Sequence, residues 1–183
     1  MLLVTDAAIN IAPNIRDKVD IVQNAIDLAH VLGVAEPKVA ILAAVETVNP
    51  EMPATIDAAM LCKMADRGQI TGGLVDGPLA FDNAVSVEAA QTKHIVSDVA
   101  GRADILVVPN LEAGNMVAKQ LQYLAGADGS GIVLGARVPI ILTSRADSVR
   151  MRLASAAVLK LLARAQQEKA AQALAAQAAG GPA

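Results

Sequence analysis

Aromatic residues are almost missing from this sequence, which has one Phe, one Tyr and no Trp among 183 residues. Surfaces that stack bases or cage cations on aromatic rings are therefore excluded. Cysteine is as scarce: Cys62 alone can form neither an intrachain disulfide nor a thiolate cluster for zinc, and this usage fits a reducing compartment. The expected location is the cytoplasm. A formal charge of −3 gives no basic field to attract a phosphate backbone, so no nucleic-acid partner is expected and any anionic ligand must be held by a few local cations and backbone N–H groups. No apolar run approaches the roughly 20 residues that span a bilayer, and Met1-Leu2-Leu3-Val4 is soon interrupted by Asp6 without a basic segment before it. The expectation is a soluble chain with no membrane partner.

Nucleotide and metal signatures are absent as well. No Gly-x-Gly-x-x-Gly follows the first apolar run, there is no Walker loop, and His30 and His94 each stand alone, without a partner at metal-ligand spacing. No metal and no resident cofactor are expected. Both histidines read as ordinary helix residues and Cys62 as a buried structural thiol.

What is present is a 54% hydrophobic content built mainly from Ala, Val, Ile and Leu, enough for one well-buried core. Short apolar runs at 2–5 and 38–45 flank a stretch with Val19, Val22, Ala25, Ile26, Ala29 and Leu32 at helical spacing, ended by Gly33. That is a β-α-β unit. The alternation continues with a helix over 54–67, a strand over 70–75, a helix over 83–98, a strand over 104–108 and a helix over 114–125. Two apolar runs at 131–135 and 138–142 are too close together for a parallel crossover, which makes at least one of them antiparallel or displaced. The fold expected is α/β: a three-layer αβα arrangement on a mostly parallel, partly mixed sheet, followed by a long C-terminal helix from Ser148 that turns Ala/Gln-rich after Leu162.

Three polar segments follow the carboxyl ends of expected strands, where α/β domains place ligands. In Asp76-Gly77-Pro78-Leu79-Ala80-Phe81-Asp82, Gly77 and Pro78 shape a turn that could fix Asp76, and Asp82 reads equally as a helix cap. In Pro109-Asn110-Leu111-Glu112-Ala113-Gly114-Asn115, a helix start with Asn115, and Lys119 one turn on, would suit a phosphate or carbonyl oxygen; such starts are also common without any ligand. In Thr143-Ser144-Arg145-Ala146-Asp147-Ser148, a hydroxyl beside a guanidinium offers an oxyanion clamp, and Ser144, Asp147 or Ser148 reads equally as the cap of the last helix.

Over about residues 2–162 the chain resembles the phosphate acetyltransferase/phosphate butyryltransferase family. The likeness is carried by Thr5-Asp6-Ala7-Ala8-Ile9-Asn10, Ala44-Val45-Glu46-Thr47-Val48-Asn49-Pro50, Val75 to Asp82, Leu111 to Asn115 and Leu142 to Ser148, with wording nearer the butyryltransferase-like branch. The resemblance implies a fold related to isocitrate and isopropylmalate dehydrogenases, and reversible transfer of a short acyl group, acetyl or butyryl, between coenzyme A and inorganic phosphate. Coenzyme A, acyl phosphate and phosphate are then substrates rather than cofactors. Carried over, Ser144 stabilises the oxyanion or leaving phosphate, Arg145 neutralises phosphate charge, and Asp76, Gly77, Pro78, Gly114, Asn115 and Lys119 bind substrate. The acetyltransferase branch has an Asp base seven residues after the Ser, where this chain has Met151, so Asp147 is the carboxylate left to consider. Asn110 also stands where the family usually has an acid.

The same resemblance divides the chain into a second, inserted α/β domain over 1–142, an active-site turn and returning helix of the first domain over 143–165, and an Ala/Gln-rich tail over 166–183. Much of the first domain is then missing. A truncated, non-catalytic family member that binds coenzyme A or mediates oligomerisation is the alternative reading. Family members form homodimers, so a homo-oligomer is expected, and a hydratase-like domain fused ahead of this region is one arrangement that the resemblance allows for the full-length protein.

Overall fold

The chain is described by a computed structural model over residues 1–179, which divides into two compact units, Met1–Ala127 and Asp128 onward. In the first, β1 (Leu3–Thr5), β2 (Lys38–Leu42), β3 (Leu74–Leu79) and β4 (Ile105–Val107) form one parallel sheet in the order β1-β4-β2-β3. Alternating side chains explain why these runs are apolar throughout: Val39 and Ile41 face one side with Ile105 and Val107, while Ala40 and Leu42 face the other with Leu106 and Val108.

Helices cover both faces. The helices α1 (Ile15–Val31) and α2 (Pro53–Asp66) supply Val22, Ala25, Ile26, Ala29, Ala58 and Leu61 to the first core. The helices α3 (Phe81–Val85), α4 (Val87–Thr92) and α5 (Leu111–Tyr123) supply Ala84, Ala90 and Ala113 to the second, with Val99 and Ala100 from the segment between α4 and β4. Strand order accounts for this division. The chain moves across the sheet from β1 to β2 to β3 and then back to β4, and right-handed crossovers in opposite directions leave their helices on opposite faces. The three layers are those expected from the alternation.

Two elements differ from the sequence reading. The third strand lies at Leu74–Leu79 rather than 70–75, so Asp76, Gly77 and Pro78 stand inside it and not in a turn after it. This is possible because β3 is a sheet edge, where Pro78 needs no ladder N–H, and because Gly77 lets the strand approach Ile41, whose carbonyl oxygen would lie 2.7 Å from an added Cβ. The helix expected over 83–98 is two short helices. Extended Ser86 breaks it and caps α4 by accepting from the Ala89 N–H, and His94, with φ 56°, lies beyond the end of α4 rather than on a helix.

The second unit holds β5 (Ile132–Val133), β6 (Ile140–Ile141) and α6 (Val149–Ala179). The two strands pair antiparallel in a sheet of their own, so the antiparallel element exists apart from the four parallel strands. Ser155, buried on α6, accepts from the Gly131 N–H at 3.0 Å and donates to the Met151 carbonyl at 3.0 Å, tying helix to hairpin. Ser148 caps α6 through the Met151 N–H. No described helix is long and apolar enough to cross a membrane.

Candidate active-site segments

The helix after β1 lies on one face of the sheet and the helix after β4 on the other, so these neighbouring strands form a switch point, at the carboxyl end of which open α/β sheets place ligands. Its first wall is the loop after β1. The Asp6 carboxylate gathers the N–H groups of Ala8 and Ile9 at 2.9 Å each, the Asn10 N–H at 2.8 Å and the Asn10 side-chain amide at 2.7 Å. Partial burial pushes the Asp6 carboxyl upward, but these donors outweigh it and hold the group below its ordinary value.

The second wall is the start of α5. Asn110 caps it by accepting from the Ala113 N–H. Gly114 sits where any Cβ would meet the Val108 side chain at 2.7 Å, the Asp6 carbonyl at 2.8 Å and the Ala7 Cα at 2.9 Å. The two walls thus touch backbone to backbone, which only glycine permits. Asn115 is exposed and its side-chain amide lies 3.5 Å from the Ala7 carbonyl, while the Lys119 ammonium lies 5.9 Å from the centre of the Tyr123 ring. Gly114, Asn115 and Lys119 therefore share one helix, with the first two against the Asp6 loop.

Asp76, Gly77 and Pro78 lie apart from these, on the edge strand, separated from β4 by β2. The Asp76 carboxylate accepts from the Gly77 N–H at 2.8 Å. Cys62 on α2 donates to the Gly77 carbonyl, and burial, assisted by the Asp76 and Asp66 charges, pushes its thiol up to about 12. The sequence reading of Cys62 as a structural thiol fits this. His30 is also accounted for, with its Nε2 2.7 Å from the Gly72 carbonyl oxygen.

Beyond β2 and β3 the structure assembles a polar group that the sequence reading passed over. Lys93 bridges Glu46 at 3.4 Å and Asp82 at 3.3 Å, and Glu46 also accepts from fully buried Asn83 at 3.2 Å. The Glu46 carboxyl is held below its ordinary value by its own backbone N–H first, against a smaller opposing effect of desolvation, and then by Lys93 and Asn83. Asp82 is thus a partner of Lys93 and not the cap of α3, which is Ala80. A polar loop residue 37 positions from its partner leaves no local spacing signal, so only the fold reveals the cluster. An open recess beside it is lined by Asp82, Ser86, Glu88, Ala89, Thr92 and Lys93, of which only Asp82 lies in a segment singled out from the sequence.

In the second unit Ser144, Arg145 and Asp147 occupy one turn. The Asp147 carboxylate accepts from the Ser144 N–H at 2.7 Å, and the Ser144 hydroxyl oxygen is 3.4 Å from the Ala146 N–H. Arg145 is exposed, and its carbonyl accepts from the Arg152 guanidinium at 3.3 Å. Arg150 pairs with Asp128 at 2.8 Å. The turn therefore presents an exposed guanidinium beside a hydroxyl on a backbone fixed by Asp147.

Known proteins resemble this chain over most of its length. A family model described as "Phosphate acetyl/butaryl transferase" matches residues 1–159. The chain is 67% identical over 162 residues to a phosphate acetyltransferase of Rhizobium meliloti, covering 88% of this chain and 51% of that protein. It is 50% identical over 163 residues to a phosphate butyryltransferase of Clostridium acetobutylicum, covering 89% and 54%. Both names occur among its relatives. A branched-chain phosphotransacylase from Enterococcus faecalis V583 superposes with a TM-score of 0.79 at 39% identity, over 87% of this chain and 57% of that one. The chain spans about half the length of the curated relatives it matches. With the family pattern running through most of its residues, the chain belongs to the phosphate acetyl/butyryltransferase family.

Proposed function

We propose that this chain carries part of the active site of an acyltransferase that moves a short acyl group reversibly between coenzyme A and inorganic phosphate. The observation that carries this reading is the family pattern over residues 1–159, with Ser144 and Arg145 on an exposed turn within it. In the synthetic direction the coenzyme A sulfur attacks the carbonyl carbon of the acyl phosphate. The bond between that carbon and the oxygen bridging to phosphorus breaks, phosphate departs with the electron pair, and the thiol proton passes to a base. A guanidinium and a hydroxyl suit the charge that develops on the carbonyl and the leaving phosphate.

Asp147 is the base candidate nearest in sequence, and its engagement with the Ser144 N–H makes it at the same time the residue that holds the turn. Asn115 and Lys119 supply a neutral and a charged donor for phosphate or carbonyl oxygens, Gly114 allows their close approach, and Asp76, Gly77 and Pro78 contribute through the shape of the β3 edge. The partners under this reading are coenzyme A, acyl phosphate and phosphate, the compartment is the cytoplasm, and the working form is a homo-oligomer. Coenzyme A-dependent consumption of acetyl phosphate and butyryl phosphate tests the activity, and an assembly containing this chain that consumes neither would refute it.

A second reading, for this chain taken by itself, is a module that binds coenzyme A or mediates association without turnover. Calorimetry separates the two. Micromolar coenzyme A binding with phosphate competition supports a working site, whereas association without either ligand supports the module.

A further inference from the structure

The motif Thr5-Asp6-Ala7-Ala8-Ile9-Asn10 has no role in the reaction outlined above, yet its carboxylate is among the most heavily bonded side chains of the fold. All four donors to Asp6 come from Ala8, Ile9 and Asn10. None comes from a helix or a neighbouring strand, so the carboxylate does not fasten elements together as the Lys18–Asp57 pair does between α1 and α2. It gives one short loop its shape.

That loop stands at the carboxyl end of β1, and three separate contacts register it on the neighbouring segment. The Val108 N–H donates to the Thr5 carbonyl at 2.8 Å, the Leu111 N–H to the Ile11 carbonyl at 3.1 Å, and the Asn115 side-chain amide reaches the Ala7 carbonyl at 3.5 Å. Gly114 removes the Cβ that would hold the two apart. With both Asp6 oxygens already accepting, Asp6 is poorly placed to take a proton from a thiol. What it can do is fix where the Ala7 carbonyl stands, and so which way the Asn115 amide points.

We propose that Asp6 is a positioning residue for the acyl-transfer reaction, setting the loop that orients Asn115 toward the acyl phosphate. This rests on the transferase reading, so its test has one arm that needs no turnover. In Asp6→Asn one oxygen remains for Ala8 and Ile9, but the new amide cannot accept from Asn10; in Asp6→Ala every acceptor is lost.

The first arm follows the Asn115 side-chain amide and the Ala7–Asn10 backbone amides by NMR in the wild-type chain and both variants. The Asn115 resonances should move, more in Asp6→Ala than in Asp6→Asn. Unmoved Asn115 resonances in both variants would overturn the proposal, whatever the activity. The second arm is kinetic. For Asp6→Asn the KM for acetyl phosphate should rise by about fivefold to tenfold, with the KM for coenzyme A unchanged, as expected when one binding contact is misdirected. A merely structural role would instead lower kcat through fewer active molecules and leave both KM values alone, and that result would also overturn it. Asn115 resonances that move in the variants, together with an assembly containing the wild-type chain that consumes no acyl phosphate, would sink the transferase reading and leave the Asp6–Asn115 coupling standing.

Discussion

Every buried apolar side chain among the described residues lies between Val22 and Val108, whereas from Asp128 onward the one buried residue is Ser155, a polar one. Both regions read in sequence as apolar runs beside helices. The difference lies in layers: the first unit has a helical layer for each face of its sheet, and the second sets two-residue strands and one helix beside each other with Ile140, Ile141 and Leu153 still exposed. Apolar periodicity announces a face to be covered, not the element that covers it. The first unit supplies its own cover, and the second presents a face suited to another surface.

Truncation of core and helix side chains should separate the two regions most sharply. Leu61→Ala, at a fully buried site, should lower the free energy of unfolding by about 3 kcal/mol, while Leu153→Ala, 65% exposed, should change it by less than about 0.5 kcal/mol in the same urea titration. Equal losses would show that α6 is covered after all. For Arg145→Ala the expected loss is about 2 kcal/mol of transition-state stabilisation, roughly a thirtyfold fall in kcat/KM, with the unfolding midpoint unchanged because the side chain is exposed. Unchanged kinetics would remove Arg145 from the mechanism.

Gly77→Ala tests the packing of the edge strand. Its Cβ would meet the Ile41 carbonyl at 2.7 Å and the Ile41 Cβ at 2.9 Å, so a loss of about 1–2 kcal/mol is expected, read by thermal unfolding. A neutral result would mean that β3 can shift outward freely. Association probes the uncovered face of the second unit. Light scattering after size exclusion should give a mass above that of the 18.7 kDa chain, and Leu153→Asp should shift it toward the monomer. The smallest effect belongs to the Ala/Gln-rich end, whose side chains are exposed from Gln166 to Ala176. Its removal should reduce helical circular dichroism while moving the unfolding midpoint within error.

The sequence made the β1-α1-β2 unit legible because Val22, Ala25, Ile26 and Ala29 keep helical spacing and Val39 to Leu42 form an unbroken strand core. It misplaced β3 because Gly77 and Pro78 ordinarily end strands, and only the strand's place at the sheet edge removes the objection. The helix over 83–98 was unreadable as two because its break depends on Ser86 turning its hydroxyl to the Ala89 N–H, which spacing alone does not announce. Gly114 and Asn115 drew attention as candidates from their place after a strand, and Ser144 and Arg145 from a polar turn before a helix, and their roles stay proposals. The Glu46–Lys93–Asp82 bridge and the Asp6 loop were not legible, since their partners are set by folding or by backbone amides that carry no sequence identity.

The chain's one sulfhydryl gains another meaning in a protein proposed to handle a thiol substrate. With its pKa pushed up to about 12 and its hydrogen directed at the Gly77 carbonyl, Cys62 presents almost no thiolate at neutral pH. Thiol–disulfide exchange requires that thiolate, so oxidised coenzyme A should not become attached to the folded chain. A thiol-reactive dye should accordingly label Cys62 slowly in the folded chain, and faster once the α2–β3 contact is loosened.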